Sequence, residues 1–392
     1  MKQKIANFIK YNKTIYIIYY YAMSLFINIL KLFVPSDDKL ILFNSFAGRK
    51  FDDSPKAIYE VMKSDPRFKN YRLVWAFHEP EKIQLDGVTK IKTDGIKYFI
   101  IALAARVWIT NSSVERGLSF KGKNTFYLNT WHGSPIKKMG SDIGSENQSF
   151  KSKSKNKVDI MNTQSYFEAD IFSKCFGIPR DHFIEVGLPR NDELINYTIN
   201  KREEIKRHLN IPFNRKVILY CPTFREYEKD ENNGVVLVPP INLDKWEHAL
   251  SDKYILLFRA HYEVSRVMKI NDNSFVRNVT DYPALNDLMI VSDILISDYS
   301  SIFFDYSVMD KCMLHFTYDY YDYEEKRGMY FDIRDYLSGS SSEDELIKIL
   351  LYMNYQLEVK KTIAFRKKYM NFYGDASKKT VDYIAENIMQ RS

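Results

Sequence analysis

Short apolar runs alternate with amphipathic stretches along most of this chain, and their lengths separate strands from helices. Residues 39–43 (KLILF), 71–77 (YRLVWAF), 106–110 (RVWIT) and 125–128 are apolar runs of strand length. Residues 54–62 and 94–104 carry apolar positions at helical spacing, with Ser54 as an N-cap and Pro55 at the first helical position. A second series starts near Lys216, with runs at 217–221 (VILYC), 254–258 (YILLF), 294–297 (ILIS) and 313–316. Helical stretches at 283–291 and 302–309 separate the later strands, and 343–389 reads as mostly helical. Strands alternating with helices predict parallel sheets with crossover connections. Two series predict an α/β chain of two Rossmann-like domains, 35–205 and 206–392. A ligand cleft is expected between them, at the C-terminal ends of the strands.

The first 34 residues follow a different pattern. Residues 15–34 (IYIIYYYAMSLFINILKLFV) have about the length of a bilayer core. Lys10, Lys13, Tyr21, Ser24, Asn28 and Lys31 recur at steps of three and four, so a helix here has one narrow polar stripe and a wide apolar, aromatic face. This pattern predicts a helix lying in the membrane surface; a single span and a core helix are the other readings. A small-residue cleavage site is absent, which argues against a cleaved signal peptide. Lys2, Lys4, Lys10, Lys13 and Lys31, with no acidic residue before Val34, concentrate positive charge in this segment. Each lysine near an anionic leaflet would add roughly 1 kcal/mol of attraction.

At 392 residues the chain has room for two cores, and its net charge is +7. A second basic run, Lys151, Lys153, Lys155 and Lys157, lies in a Ser/Asn-rich stretch. Such clustering suits an anionic partner: nucleic acid, an anionic lipid or a phosphate polymer. Cys175, Cys221 and Cys312 are far apart, so neither a disulfide framework nor a zinc site is expected. The chain has no GxxxxGK[ST] loop and no HExxH, which disfavours P-loop kinases and ATPases and leaves no metal motif.

The chemistry-bearing residues gather where predicted strands end. The turn 129–140 (NTWHGSPIKKMG) follows one strand; it contains His132, which can take a proton near neutral pH, and Gly133, which lets backbone approach a ligand. In 187–192 (GLPRND), Arg190 stands beside a helix start that Asn191 or Asp192 can cap. CPTFR at 221–225 and RAHY at 259–262 each follow a buried strand. In 297–305 (SDYSSIFFD), Ser300 and Ser301 precede a helix, where capping and anion binding draw on the same backbone N–H groups.

Taken in order, WHGSPIKKMG, GLPRND, CPTFRE, RAHY and DYPALNDLMIVSDILISDYSSIFFDYSVMDKCMLHF resemble the CDP-glycerol glycerophosphotransferase family, the teichoic-acid primases and polymerases, over residues from about 40 to 375. The resemblance implies a GT-B-like fold and transfer of glycerol phosphate from CDP-glycerol, with release of CMP. The acceptor it implies is an undecaprenyl-diphosphate-linked saccharide or a glycerol-phosphate chain. It also implies a peripheral position on the cytoplasmic face of the cell membrane. No cofactor and no nucleic-acid partner are expected, and no obligatory metal, because cationic side chains and helix N-termini could do a metal's work. His132 and His261 become the two essential histidines. Donor contacts fall on Trp131, Gly133, Ser134, Pro135, Arg190, Pro222, Thr223, Arg259, Ser300, Ser301 and Asp305, and Arg225 is added from the CPTFR motif. Tyr262 stands where family members often have proline. Three alternatives stay open: CDP-ribitol as donor, a GT-B glycosyltransferase using a nucleotide sugar, and a non-catalytic membrane adaptor on the same fold.

Overall fold

The structure is a computed structural model that describes residues 12–143, 157–223, 225, 240–260, 270 and 272–389. Lys2, Lys4, Lys10, Lys151, Lys153, Lys155, His261 and Tyr262 lie outside the described residues. Two compact units divide the chain, each built on one parallel sheet.

The first unit comprises Met1–His132, Gly140–Asp192 and Phe372–Ser392. Its strands are β1 (Asp37–Asn44), β2 (Arg72–Phe77), β3 (Thr89–Lys92), β4 (Ala105–Thr110), β5 (Phe126–Asn129), β6 (Ile160–Asn162) and β7 (Phe183–Ile184). Their order in the sheet is β3-β2-β1-β4-β5-β6-β7. The second unit, Gly133–Met139 and Glu193–Asn371, holds β8 (Lys216–Cys221), β9 (Tyr254–Phe258), β10 (Val276–Asn278), β11 (Ile294–Ser297), β12 (Cys312–Phe316) and β13 (Ser338–Ser340). Here the order is β10-β9-β8-β11-β12-β13. The strand order therefore reverses between β1 and β4 in one sheet and between β8 and β11 in the other. In open α/β sheets, ligands bind at such points.

The central strands read as continuous apolar runs because helices cover both of their faces. Thus Ile294, Leu295 and Ile296 of β11 are fully buried, as are Ile41, Leu42 and Phe43 of β1. The edge strands β3, β7, β10 and β13, and β6 next to the edge, have two to four residues each and are not predicted by the pattern. Runs that short carry too little periodicity to stand out from loops. All three cysteines are buried free thiols, and burial raises their pKa values above the usual thiol range.

The units do not divide at 205. The boundary falls after Asp192, and the last helix, Ala376–Met389, returns to the first unit. Its apolar face explains the return: Val381, Ile384 and Ala385 are buried in one core with Ile58, Tyr59 and Met62 of the helix Asp53–Ser64. The Asp192 carboxylate accepts hydrogen bonds from the N–H groups of Ala376 (2.9 Å) and Ser377 (2.7 Å), capping this helix from far away in sequence. Gly187, in left-handed backbone, lets the returning chain pass: a Cβ there would lie 2.9 Å from the Phe372 carbonyl oxygen. Much of the GLPRND motif thus serves this junction.

On the N-terminal helix, Lys13–Leu30, Ser24 and Asn28 of the expected stripe face protein, as does Lys31 just beyond it, whereas Tyr21 of that stripe is exposed. The Ser119 N–H donates to Ser24 Oγ (3.1 Å), and Asn28 Nδ2 donates to the Ser119 carbonyl (2.8 Å). Lys31 Nζ donates to the carbonyls of Phe120 (3.4 Å) and Lys121 (3.1 Å), so this lysine is not available to a lipid headgroup. The opposite face stands exposed, with Ile18, Tyr21, Leu25, Phe26 and Ile29 between 49% and 68% accessible. Thr14–Phe33 is long and apolar enough to cross a membrane by length and composition alone.

Candidate active site

In the first unit, three loops converge at the strand-order reversal. The loop after β4 begins with Asn111, whose carbonyl oxygen lies 2.7 Å from His132 Nδ1 in the turn after β5. A carbonyl only accepts, so the neutral imidazole carries its proton on Nδ1, and the lone pair sits on Nε2. Part of the ring meets solvent, yet the surrounding protein atoms lower its pKa below the usual histidine value. Desolvation is the largest cause, opposed by the Asn111 carbonyl and the Asp53 charge and assisted by Arg190 and Arg49. The group is therefore neutral at pH 7, with a free basic nitrogen.

Trp131 fixes the ring from the other side. The indole stacks on the imidazole with centroids 4.3 Å apart, and Phe176 packs against the indole at 4.6 Å. Trp131 has φ +50°, a left-handed conformation that a bulky residue rarely adopts. The Trp131 N–H donates to Asn129 Oδ1 (2.8 Å), which compensates part of the strain.

The loop after β1 is not among the sites the sequence pattern predicts. Phe46, Ala47 and Gly48 are consecutively left-handed, with φ of 47°, 57° and 88°. Each non-glycine residue in such a state costs about 1–3 kcal/mol, which the surroundings must offset. Here the Phe46 N–H donates to Asn111 Oδ1 (2.7 Å), the Ala47 N–H to Ser112 Oγ (2.9 Å), and Arg116 Nη1 to the Ala47 carbonyl (3.0 Å). Asn111 thus holds His132 through its backbone and the strained loop through its side chain. The Phe46 ring lies 5.9 Å from the imidazole. A strand end followed by FAGRK was the available signal.

Arg190 sits in the same unit. Its Nη1 lies 3.4 Å from Asp53 Oδ1, with both side chains less than a tenth exposed. The backbone of Arg190 donates to Ser54 Oγ (3.3 Å).

In the second unit, the reversal point is occupied by Asp298, at the end of β11. One of its oxygens accepts from the N–H groups of Thr223 (2.8 Å) and Tyr299 (2.8 Å), tying the ends of β8 and β11 together. Its other oxygen accepts from Arg225 Nη2 (2.9 Å). Arg225, expected as a donor contact, is placed otherwise. Its side chain is fully buried, its Nε and Nη2 donate to Asp319 (2.6 and 2.8 Å), and its Nη1 donates to the Thr223 carbonyl (2.6 Å). Tyr299, Tyr318 and Tyr323 enclose the guanidinium, with centroids 5.0–5.2 Å away. Burial works against its charge, but Asp298 and Asp319 outweigh burial and raise its pKa. Arg225 is a buried strut. Removing one partner of such a network costs about 3–5 kcal/mol, because charge is left buried and uncompensated.

The remaining expected contacts surround this strut. Pro222 is buried, and Thr223 Oγ1 is a buried hydroxyl with no hydrogen-bond partner among the described residues. Arg259 Nη1 donates to the carbonyls of Val279 (3.1 Å) and Tyr282 (2.7 Å). Ser300 Oγ accepts from the Ile302 N–H (3.3 Å), the first N–H of the six-residue helix Ile302–Ser307, of which Asp305 is a buried member. A Cβ on Gly133 would lie 2.7 Å from Ser301 Oγ, so the turn backbone approaches the serine pair closely. Ser134 and Pro135 are buried beside it. No group of three or more His, Cys, Asp or Glu side chains that could hold a metal is found among the described residues.

Comparison with known proteins fits this arrangement. A sequence model described as CDP-Glycerol:Poly(glycerophosphate) glycerophosphotransferase matches residues 26–386. The chain belongs to this family. It is accordingly an enzyme of the transferase class. It is 30% identical over 401 residues to a teichoic acid poly(glycerol phosphate) polymerase of Bacillus spizizenii, covering 97% of this chain and 99% of that protein. It is 32% identical over 315 residues to the polymerase of the same description from Staphylococcus epidermidis; the match takes in 77% of this chain but 43% of that longer protein. A solved structure of the wall teichoic acid polymerase TagF superposes with a TM-score of 0.85 at 28% identity, covering 97% of this chain and 98% of the other. The GT-B-like fold expected from the family is thereby borne out.

Proposed function

We propose that this chain transfers a glycerol-phosphate unit from CDP-glycerol to a hydroxyl of a lipid-linked, glycerol-phosphate teichoic-acid acceptor. The acceptor oxygen forms a bond to the β-phosphorus, the bond from that phosphorus to the bridging oxygen breaks, and CMP leaves. The acceptor proton goes to His132 Nε2. The observation that carries this reading is the Asn111 carbonyl on His132 Nδ1, which leaves the other nitrogen as a base at neutral pH. Thr223, Ser300, Ser301 and Arg259 are the proposed holders of the donor's phosphates, and His261 is the second histidine proposed as essential. Arg190 serves through its ion pair with Asp53, which fixes the start of the helix Asp53–Ser64.

We further infer that the enzyme rests on the cytoplasmic face of the membrane through the exposed side of the helix Lys13–Leu30. The inward-facing residues of the polar stripe support an in-plane helix, since a spanning helix would have to break the bonds of Ser24, Asn28 and Lys31 to residues 119–121.

The test is incubation with CDP-glycerol, CDP-ribitol and a UDP-sugar in turn, together with a lipid-linked disaccharide bearing glycerol phosphate, followed by mass analysis. A product heavier by one or more glycerol-phosphate units, with CMP released, is expected from CDP-glycerol. Preferential use of CDP-ribitol or of the UDP-sugar would overturn the donor assignment.

A further inference from the structure

The motif at 131–140 (WHGSPIKKMG) continues past the base, and its second half has a partner of its own. The chain leaves the first unit after His132, runs through the second unit from Gly133 to Met139, and rejoins the first at Gly140. Within the second unit, Lys137 pairs with Met329 in an antiparallel bridge. The Tyr330 N–H donates to the Ile136 carbonyl (2.8 Å), and the Lys138 N–H donates to the Gly328 carbonyl (3.0 Å). Two side chains close this ribbon: Tyr330 Oη accepts from the Met139 N–H (3.2 Å), and Arg327 Nη1 donates to the Lys138 carbonyl (2.5 Å). So short a ribbon does not hold by itself and takes its stability from what it is built on.

Its base is the tyrosine box around Arg225. Arg327 ends the helix Tyr320–Arg327, and Tyr320 and Tyr323 of that helix are buried in one cluster with Tyr299, against which Met329 packs. Tyr299 and Tyr323 stack with centroids 4.1 Å apart, and the Tyr299 hydroxyl donates to Asp319 (3.0 Å), the carboxylate that also takes Arg225. Asp298, the other carboxylate on Arg225, shortly precedes Ser300 and Ser301 in the chain. One buried network therefore carries both the serine pair and the clasp on Ile136–Met139, and Gly133, the residue after the base, lies against Ser301.

We propose that Arg327 and Tyr330 are positioning residues for the transfer reaction: they clamp Ile136–Met139 and thereby fix the turn that begins at His132. This rests on the functional reading above, in which His132 Nε2 takes the acceptor's proton. Asn111 and Trp131 hold the imidazole itself, and the clasp holds the backbone that follows it. A turn released from Arg327 and Tyr330 drags the base out of line, and a misplacement of about 1 Å can lower a rate about 100-fold.

The experiment uses full-length protein and compares wild type, Arg327→Met, Arg327→Lys and Tyr330→Phe, each with and without His132→Ala, in steady-state transfer from CDP-glycerol to an acceptor ending in glycerol phosphate. Calorimetry gives the CDP-glycerol affinity, and thermal unfolding shows that each variant is folded. The kcat of Arg327→Met should fall roughly 10- to 100-fold, as for a lost charged hydrogen bond, and that of Tyr330→Phe roughly 2- to 10-fold. Arg327→Lys keeps a donor for the Lys138 carbonyl and should stay within about threefold of wild type. Donor affinity should change less than about twofold throughout. In the His132→Ala background, Arg327→Met and Tyr330→Phe should each change the residual rate less than about twofold, because a base that is gone cannot be misplaced. A fall of equal size in both backgrounds, a matching loss of donor affinity, or an unchanged kcat in the two variants would each overturn the positioning role while the transferase reading stands. If Arg327→Met does not fold, Tyr330→Phe, which removes one hydroxyl, decides between these outcomes. A His132→Ala enzyme that keeps more than about a tenth of wild-type turnover would overturn the base assignment, and this inference with it.

Discussion

At the scale of single residues, the hydrogen bond from His132 to the Asn111 carbonyl decides which nitrogen can act. Because the free nitrogen is Nε2 and the pKa is lowered, the base is ready below the ordinary histidine range, and protonation disables it only in more acidic solution. The acid limb of the kcat/KM profile should therefore fall below pH ~6.5. His132→Ala should reduce kcat at least about 100-fold while CDP-glycerol affinity stays within about twofold; retention of a tenth of wild-type turnover would contradict the base assignment. His315 gives a second, purely structural prediction. It is 6% exposed, shares a hydrogen bond with Thr317 Oγ1 (3.1 Å), and burial pushes its pKa down to about 4. The folded state keeps it neutral, so the unfolded chain takes up the proton first as pH falls. Stability should drop between about pH 6.5 and 4, by up to roughly 3 kcal/mol from this group. Thermal unfolding of His315→Asn should have a shallower acid slope than wild type over that window; identical slopes would refute the attribution.

At the scale of elements, the N-terminal helix inverts the usual arrangement of an amphipathic helix on a soluble protein. Its polar groups bond to the body and its apolar side faces out. Burying one exposed Leu or Phe side chain in an apolar phase contributes about 1.5–3 kcal/mol, so three together dominate the charge contribution of any single lysine. Converting Tyr21, Leu25 and Phe26 to serine should leave the melting temperature nearly unchanged. Co-sedimentation with vesicles of anionic phospholipid should fall by at least about 100-fold. Equal vesicle binding by the triple variant and wild type would show that this face does not meet the membrane.

At the scale of the whole molecule, the chain does not run through one unit and then the other. It leaves the first unit after Asp192 and comes back at Phe372, and the returning helix completes the first unit's core. Val381, Ile384 and Ala385 are each at most 1% exposed. Removing residues 372–392 uncovers that core and leaves the Asp192 carboxylate without the N–H groups it caps. The loss, about 5 kcal/mol or more from two aliphatic side chains and the cap, is comparable with the total stability of many domains. The truncated protein should be insoluble, or melt at least about 10 °C lower by calorimetry; an unchanged melting temperature would mean that the helix is a dispensable tail.

The amino-acid sequence alone determined the parallel α/β class, the two series of strands and the strand-end positions of His132, Thr223 and Ser300. Runs such as VILYC and YILLF are apolar throughout because both faces are covered, and that property is written in local composition. It also determined the amphipathic character of residues 15–34. Tertiary structure decided which way that helix faces, because a stripe of Ser24, Asn28 and Lys31 can satisfy its hydrogen bonds with water or with the 119–121 backbone, and local pattern does not distinguish them. It likewise decided the role of Arg225. A buried guanidinium depends on partners that lie 73 and 94 residues away, Asp298 and Asp319, and residue type at a strand end does not reveal whether such partners are there. The tautomer of His132, the strain at Phe46 and Ala47, and the return of the last helix share that origin. Each follows from groups brought together only when the sheet order β3-β2-β1-β4-β5-β6-β7 closes distant loops onto one edge.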